Sequence, residues 1–277
     1  MSNLRFSAPI SLFFFAHQDD EFGVYAELQS LIARGHRPVC VYLTDGGSRR
    51  ATPHERNVES LGVLKRLGVA EQDVHFVGTE EGIQDGQLVR SLPKAHHAAM
   101  ALASSLGAVD RIVVPAWEGG HQDHDAAHLV GLAVARHLGV VEKSQQFTLY
   151  RADPQSKLPF VMYRPIKENG EVITVKIARL KLFYYLLLMG SYRTQRKTFL
   201  GLWPLIVYHY LVSATQFLQA VRCARVLEKP HAGRLLYEKR FGIDYQQFNA
   251  LALPFCREFI FGELATLPAA EAAELHS

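Results

Sequence analysis

An apolar run from Ile10 to Ala16, broken only by Ser11, stops abruptly at His17-Gln18-Asp19-Asp20-Glu21. The run reads as a buried strand, and Val24, Leu28 and Ile32 then recur at helical spacing up to a Gly35 C-cap. A strand that empties into a polar turn and re-enters a helix places the turn at the carboxyl edge of a parallel sheet. Open α/β folds build their sites there. Carboxylates in a helix's first turn are also favoured by its dipole. On this stretch alone, Asp19 and Asp20 as ordinary helix caps are the favoured reading.

The same grammar returns a hundred residues later. Arg111 to Pro115 is a strand, and Ala116-Trp117-Glu118-Gly119-Gly120-His121-Gln122-Asp123-His124-Asp125 is a polar turn. A helix then runs from about Asp125 to Leu138, with Leu129, Val130, Ala133 and Val134 apolar. Two such turns on one sheet edge can meet, which weighs against the capping reading. Between them the pattern gives a strand at 39–43 ending in Thr44-Asp45-Gly46-Gly47-Ser48. It also gives a helix over 54–67 with Val58, Leu61 and Leu64 inward, a short strand at 74–77 and a helix over 93–106. The Gly46-Gly47 pair lacks the spaced glycines or Lys-Ser/Thr of a phosphate loop and reads as a flexible turn.

Downstream, a strand is expected at 146–150, with a hairpin pairing 160–163 with 172–175 around Asn169-Gly170. Beyond Ala178 the pattern is helical, with long apolar helices over 180–198 and 205–227, then a mixed segment at 234–263 and a fraying Ala/Glu tail. The expected fold class is therefore α/β: a Rossmann-like, mostly parallel sheet with helices on both faces. Residues 1–177 would form the core, and residues 178–277 a mainly helical extension packed on the same domain. With 277 residues, 48% apolar, the chain can bury one full core. A net charge of +3 gives no argument for nucleic acid. Three scattered cysteines, Cys40, Cys223 and Cys256, fit a reducing, cytoplasmic setting, with neither a disulfide framework nor a thiolate metal site. No export signal or membrane span is read.

His17, Asp20 and His124 make a two-His, one-carboxylate set of the kind that holds catalytic zinc with one position open. Asp19 is then free to accept a proton from water activated by the metal. His121 can hydrogen-bond a developing oxyanion, with Asp123 orienting its imidazole and stabilising the cationic form. His128, four residues after His124, competes as a ligand but sits deep in the amphipathic helix and reads as structural. His54, His96 and His97 have no partner and read as surface residues. Trp117 can stack on a ligand at the site mouth or anchor the core.

These residues carry a family resemblance. Ala16-His17-Gln18-Asp19-Asp20-Glu21 resembles the Ala-His-Pro-Asp-Asp-Glu signature of PIG-L/LmbE-like zinc-dependent N-acetylglucosamine deacetylases. Gly120-His121-Gln122-Asp123-His124 resembles that family's His-x-Asp-His signature. Leu43-Thr44-Asp45-Gly46 is similar to its Leu-Thr-x-Gly turn, and Arg56 and Glu59 to its Arg-x-x-Glu helix. Tyr192-Arg193-Thr194-Gln195 is similar to a Tyr-Arg-Ser-Gln stretch. The likeness runs from Phe13 to about Gln195.

The resemblance implies zinc, or another divalent metal, on His17, Asp20 and His124. It also implies Asp19 as base, His121 supported by Asp123 as electrophilic partner, and Arg56 on the substrate; Asp45 and Trp117 are further expected substrate contacts. Gln18 departs from the family's Pro, which would loosen the turn. The expected activity is release of acetate from an N-acetylglucosamine-type sugar conjugate, with a small-molecule substrate and no nucleic-acid partner.

Two rival functions remain: a zinc amidase for a bulkier acyl or thiol conjugate, and a non-catalytic sugar- or nucleotide-binding protein. The segment 181–227 mixes apolar runs with Arg193, Arg196, Lys197, Arg222 and Arg225. It reads first as a core helix pair, and second as a peripheral membrane or glycolipid contact. Oligomeric state is not legible.

Overall fold

The computed structural model describes residues 8–262. Its strands are β1 (Ile10–Phe15), β2 (Arg37–Tyr42), β3 (Val74–His75), β4 (Val109–Pro115) and β5 (Gln145–Phe147), followed by β6 (Tyr150–Arg151), β7 (Val161–Met162), β8 (Val172–Lys176) and β9 (Thr215–Ala220). Its helices are α1 (Tyr25–Ala33), α2 (Pro53–Leu67), α3 (Val77–Glu80), α4 (Leu92–Leu106) and α5 (Gln122–His137), then α6 (Arg179–Met189), α7 (Arg196–Val212), α8 (Leu236–Arg240) and α9 (Tyr245–Phe255).

Seven strands form one sheet in the order β3-β2-β1-β4-β5-β9-β8. The first five are parallel, and β9 and β8 add antiparallel pairs at one edge. Chain order reverses between β1 and β4, so the turns after these two strands lie side by side at the switch point. Both layers explain the run over residues 12–15 of β1, apolar at every position. Leu12 and Phe14 face a core shared with α4, α5 and α9. Phe13 and Phe15 face a second core, with Tyr25 and Leu28 of α1, Val63 and Leu64 of α2, and α6 and α7. A strand covered on both faces needs apolar residues at every position.

Three expectations are corrected. Thr215–Ala220, read as part of a helix, is a strand hydrogen-bonded between β5 and β8, so the sheet takes strands from both sides of residue 177. The 172–175 strand pairs with β9, whereas 161–162 pairs with β6. Val58 of α2 faces solvent, and the helix buries Arg56, Ser60, Val63, Leu64 and Leu67. The Ala/Glu tail lies outside the described residues.

Candidate active site

The turn after β1 is built around one strained residue. Asp19 sits at φ 119, in left-handed space where a non-glycine residue is uncommon and Asp is among the better tolerated. Three contacts fix it. Its N–H donates to Glu21 Oε2 at 3.0 Å. Its Oδ1 accepts from Arg56 Nη2 at 3.0 Å. Arg56 Nη2 also donates to the Gln18 carbonyl. Strain of this kind persists only where surroundings over-determine it, and it concentrates at functional sites.

Glu21 is itself held from far away in sequence. Tyr192 donates its hydroxyl proton to Glu21 Oε1 at 2.8 Å, and Thr194 Oγ1 donates to Glu59 Oε2 at 2.6 Å. The Tyr-Arg-Thr-Gln stretch thus buttresses both the first turn and the Arg-x-x-Glu helix. Gln18 does not leave the turn loose: Nε2 donates to Asn57 Oδ1 at 2.6 Å and lies within reach of the Thr44 and Asp45 carbonyls. An amide tether does here what proline stiffness would do.

The second turn arrives from β4. Asp125 Oδ1 accepts the N–H groups of Glu118 and Gly119 at 3.2 and 3.1 Å, and Glu118 Oε1 accepts those of Leu149 and Tyr150. These buried carboxylates fold the loop so that α5 starts with its donors aimed at the first turn. His121 is its N-cap, its Nδ1 accepting Asp123 N–H at 3.1 Å.

The two turns meet as expected. His124 Nε2 lies 3.0 Å from Asp20 Oδ1, and Asp20 Oδ2 is fixed by the N–H groups of Ala16 and His17 at 3.0 and 2.8 Å. His17 Nδ1 lies 3.6 Å from the same Oδ2. His17, Asp20 and His124 offer ligand atoms all within 4.8 Å of one another, and all three residues are buried. His124 Nδ1 has no protein partner, leaving an unspent ring nitrogen in a buried cluster. Two imidazoles and an anchored carboxylate fit a divalent metal by donor chemistry and by spacing.

Several placements differ from expectation. The Asp123 carboxylate does not touch His121. It accepts from Gly86 and Leu88 N–H and lies 3.2 Å from His17 Nε2, so it ties the 86–88 loop to the first turn. Its backbone N–H is what orients His121, because His121 occupies the N-cap. Burial, with His17 and His124 nearby, lowers His121 to about 3. It is therefore a neutral imidazole with its proton on Nε2, not the imidazolium expected.

Trp117 is buried, donates to the Glu228 carbonyl at 3.0 Å and packs on His128 and Phe248; it anchors the core and does not line the site mouth. Arg56 is buried, with Nη1 on the Gly46 carbonyl at 2.8 Å, so it positions Asp19 and the neighbouring loop. Asp45 Oδ1 accepts the N–H groups of Gly47 and Asp85, shaping that loop. His128 is structural as read, with Nδ1 on the Pro115 carbonyl at 2.9 Å. His96 is buried against Phe255 and Phe259, contrary to its surface reading, while His54 and His97 are exposed.

Three residues near the site escaped the sequence. Asp85 Oδ1 lies 3.2 Å from His17 Nε2, and Asp85 forms a second ligand-like group with His17 and His121. Burial raises its pKa, but His17, His121 and Arg56 outweigh that and hold it well below the usual range. Tyr150 packs edge-on to His124 and Phe241 edge-on to His121. A cavity of about 540 Å³ opens beside Arg56 and Asp85 and is rimmed by Arg49, Arg50, Arg193 and Lys197.

The switch point of the parallel sheet thus gathers two histidines, an anchored carboxylate and a strained, spare carboxylate. Residues 12–135 match the family model described as PIG-L: GlcNAc-PI de-N-acetylase. Over that stretch, somewhat under half of the chain, the sequence is similar to PIG-L-type domains.

Solved structures sharing the fold include a deacetylase of the teicoplanin biosynthetic pathway, at 14% identity and TM-score 0.57, covering 76% of this chain and 97% of that one. The A40926 pseudoaglycone deacetylase follows at 14% and 0.55, covering 82% and 100%. N,N'-diacetylchitobiose deacetylase from Pyrococcus horikoshii follows at 13% and 0.54, covering 77% and 84%. No curated protein matches the sequence.

Proposed function

We propose that this chain is a zinc-dependent hydrolase that removes the N-acetyl group from an N-acetylglucosamine-type sugar conjugate. The observation that carries the reading is Asp19, held in left-handed backbone beside, but outside, the His17–Asp20–His124 set. The matching family model and the neighbours named as deacetylases support acetyl as the acyl group. Three free cysteines fit work in a reducing compartment such as the cytoplasm.

When bound, the ion would supply Lewis-acid chemistry, acidifying water and polarising the acetamide carbonyl. Asp19 accepts the proton as the water oxygen bonds to the carbonyl carbon. His121, its Nδ1 occupied by Asp123 N–H, presents Nε2–H to the oxygen on which negative charge develops. Collapse breaks the C–N bond, and Asp19 returns its proton to the leaving nitrogen, giving acetate and a free amine. Arg56 keeps Asp19 aimed throughout.

Acetate release from N-acetylglucosamine conjugates tests this. Asp19→Ala should keep the metal and lose turnover; wild-type turnover in that variant would remove Asp19 from the reaction.

A further inference from the structure

Helices α6 and α7 each carry two apolar faces, and only one of each is used. In α6, Tyr185, Leu188 and Met189 are buried, while Leu180, Phe183 and Leu187 face solvent at three- and four-residue spacing. In α7, Phe199, Leu202, Ile206 and Tyr210 are buried, while Leu200, Trp203, Tyr208 and Leu211 form the opposite, exposed stripe. Leu180 is 92% exposed and Leu211 79%. Packing on the sheet therefore explains half of each helix. Adjoining apolar surface of this extent marks an interaction site.

The charge around that face says what covers it. Residues 172–227 contain no Asp or Glu and eight Lys or Arg. Arg179, Lys181, Arg193, Arg196 and Lys197 make no ion pair among the described residues. A second copy of this chain would set cation against cation across a two-fold face. The two stripes converge on a depression of about 520 Å³ in which Leu187 and Trp203 stand beside Arg66, Arg193 and Arg196. Apolar side chains, an interfacial tryptophan and guanidinium groups at one level are the composition of a surface that enters a headgroup layer. Arg193 and Arg196 also rim the cavity beside Arg56 and Asp85, so the face is continuous with the site opening. No helix among the described residues is long and apolar enough to cross a membrane, so the contact is with one leaflet.

We propose that the outer face of α6 and α7 docks on an anionic lipid bilayer, beside the catalytic opening. The docking is independent of which bond the site cleaves.

Flotation of the metal-loaded full chain with phosphatidylcholine vesicles, with and without phosphatidylglycerol, tests it. Wild type should float only with the phosphatidylglycerol vesicles, and added salt should weaken the partition. Phe183→Asp/Leu211→Asp should stay in the soluble fraction with an unchanged melting curve, since both side chains are exposed. Arg196→Ala/Lys197→Ala should weaken the partition on the order of thirtyfold, roughly fivefold per charge removed. Wild type left in solution with anionic vesicles would overturn the proposal, as would wild-type partition by the Phe183→Asp/Leu211→Asp variant. A concentration-dependent dimer abolished by Phe183→Asp, without vesicle binding, would give the face to a second copy.

Discussion

Replacing Arg56 by Ala should cost far more than a surface arginine would, and by an amount that depends on pH. Arg56 is buried, and it serves Asp19 Oδ1 and the Gln18 and Gly46 carbonyls. Its loss strands a buried carboxylate and two carbonyl oxygens. Breaking a buried pair from one side costs about 3–5 kcal/mol. For a chain of this size each kcal/mol moves Tm by roughly 2–4 °C, so the fall is on the order of 10 °C.

The pH dependence follows from Asp19. In the metal-free protein burial outweighs Arg56 and pushes Asp19 up to about 8. A carboxyl raised in the fold is fully favourable below its unfolded value and loses stability as pH rises through the folded one. The wild type therefore sheds stability between about pH 4 and 8, and Arg56 limits the loss. In chelator-treated protein, urea unfolding at about pH 9 should show the full 3–5 kcal/mol penalty for Arg56→Ala. At about pH 6, where Asp19 is protonated, the penalty should shrink toward that of unpaired carbonyls, about 1–3 kcal/mol. Arg56→Ala/Asp19→Ala should be more stable than Arg56→Ala at the higher pH. A penalty that is flat with pH, or no recovery in the double variant, would refute the coupling.

Other perturbations follow from single contacts. A Cβ on Gly78 would lie 2.2 Å from the Thr44 backbone, so Gly78→Ala should displace the loop behind the site and lower the unfolding free energy in urea by about 1–3 kcal/mol; an unchanged free energy would contradict that packing. Burial lowers His128 to about 4, so its stability contribution is complete above its ordinary value of 6.5 and lost as pH falls toward 4. That is about 2 kcal/mol at pH 5, absent from His128→Gln if the reasoning holds. Trp117→Phe should cost about 1–2 kcal/mol through the lost bond to Glu228 and leave KM unchanged; a raised KM would return Trp117 to the substrate.

The strands and turns that carry the site were legible because β1 and the 112–115 half of β4 are covered on both faces and read as apolar runs ending in clustered His and Asp. The region after residue 200 was not legible, for a local reason. Helix α7 stops at Val212, and Ala214 takes left-handed backbone at φ 47, where glycine or asparagine would have announced the end. Without that signal Thr215–Ala220 continued the helical pattern, and the strand appears only through its pairing with β5 and β8. Asp85 was missed because its turn, Gln84-Asp85-Gly86, has no neighbouring histidine in sequence and meets His17 only across the fold. The role expected of Asp123 failed because a carboxylate two residues from a histidine says nothing about which of its atoms faces the ring. His96 was misread because helix α4 was counted without α9, whose Phe255 covers it.

Metal content measured beside function tests the central claim most directly. Purified wild-type chain, supplied with zinc and then freed of excess, should hold about one metal ion per chain. His124→Ala should hold none while keeping its far-ultraviolet signature, and Asp19→Ala should hold as much as wild type. Full occupancy in His124→Ala, or none in wild type, would contradict a metal centre built from His17, Asp20 and His124.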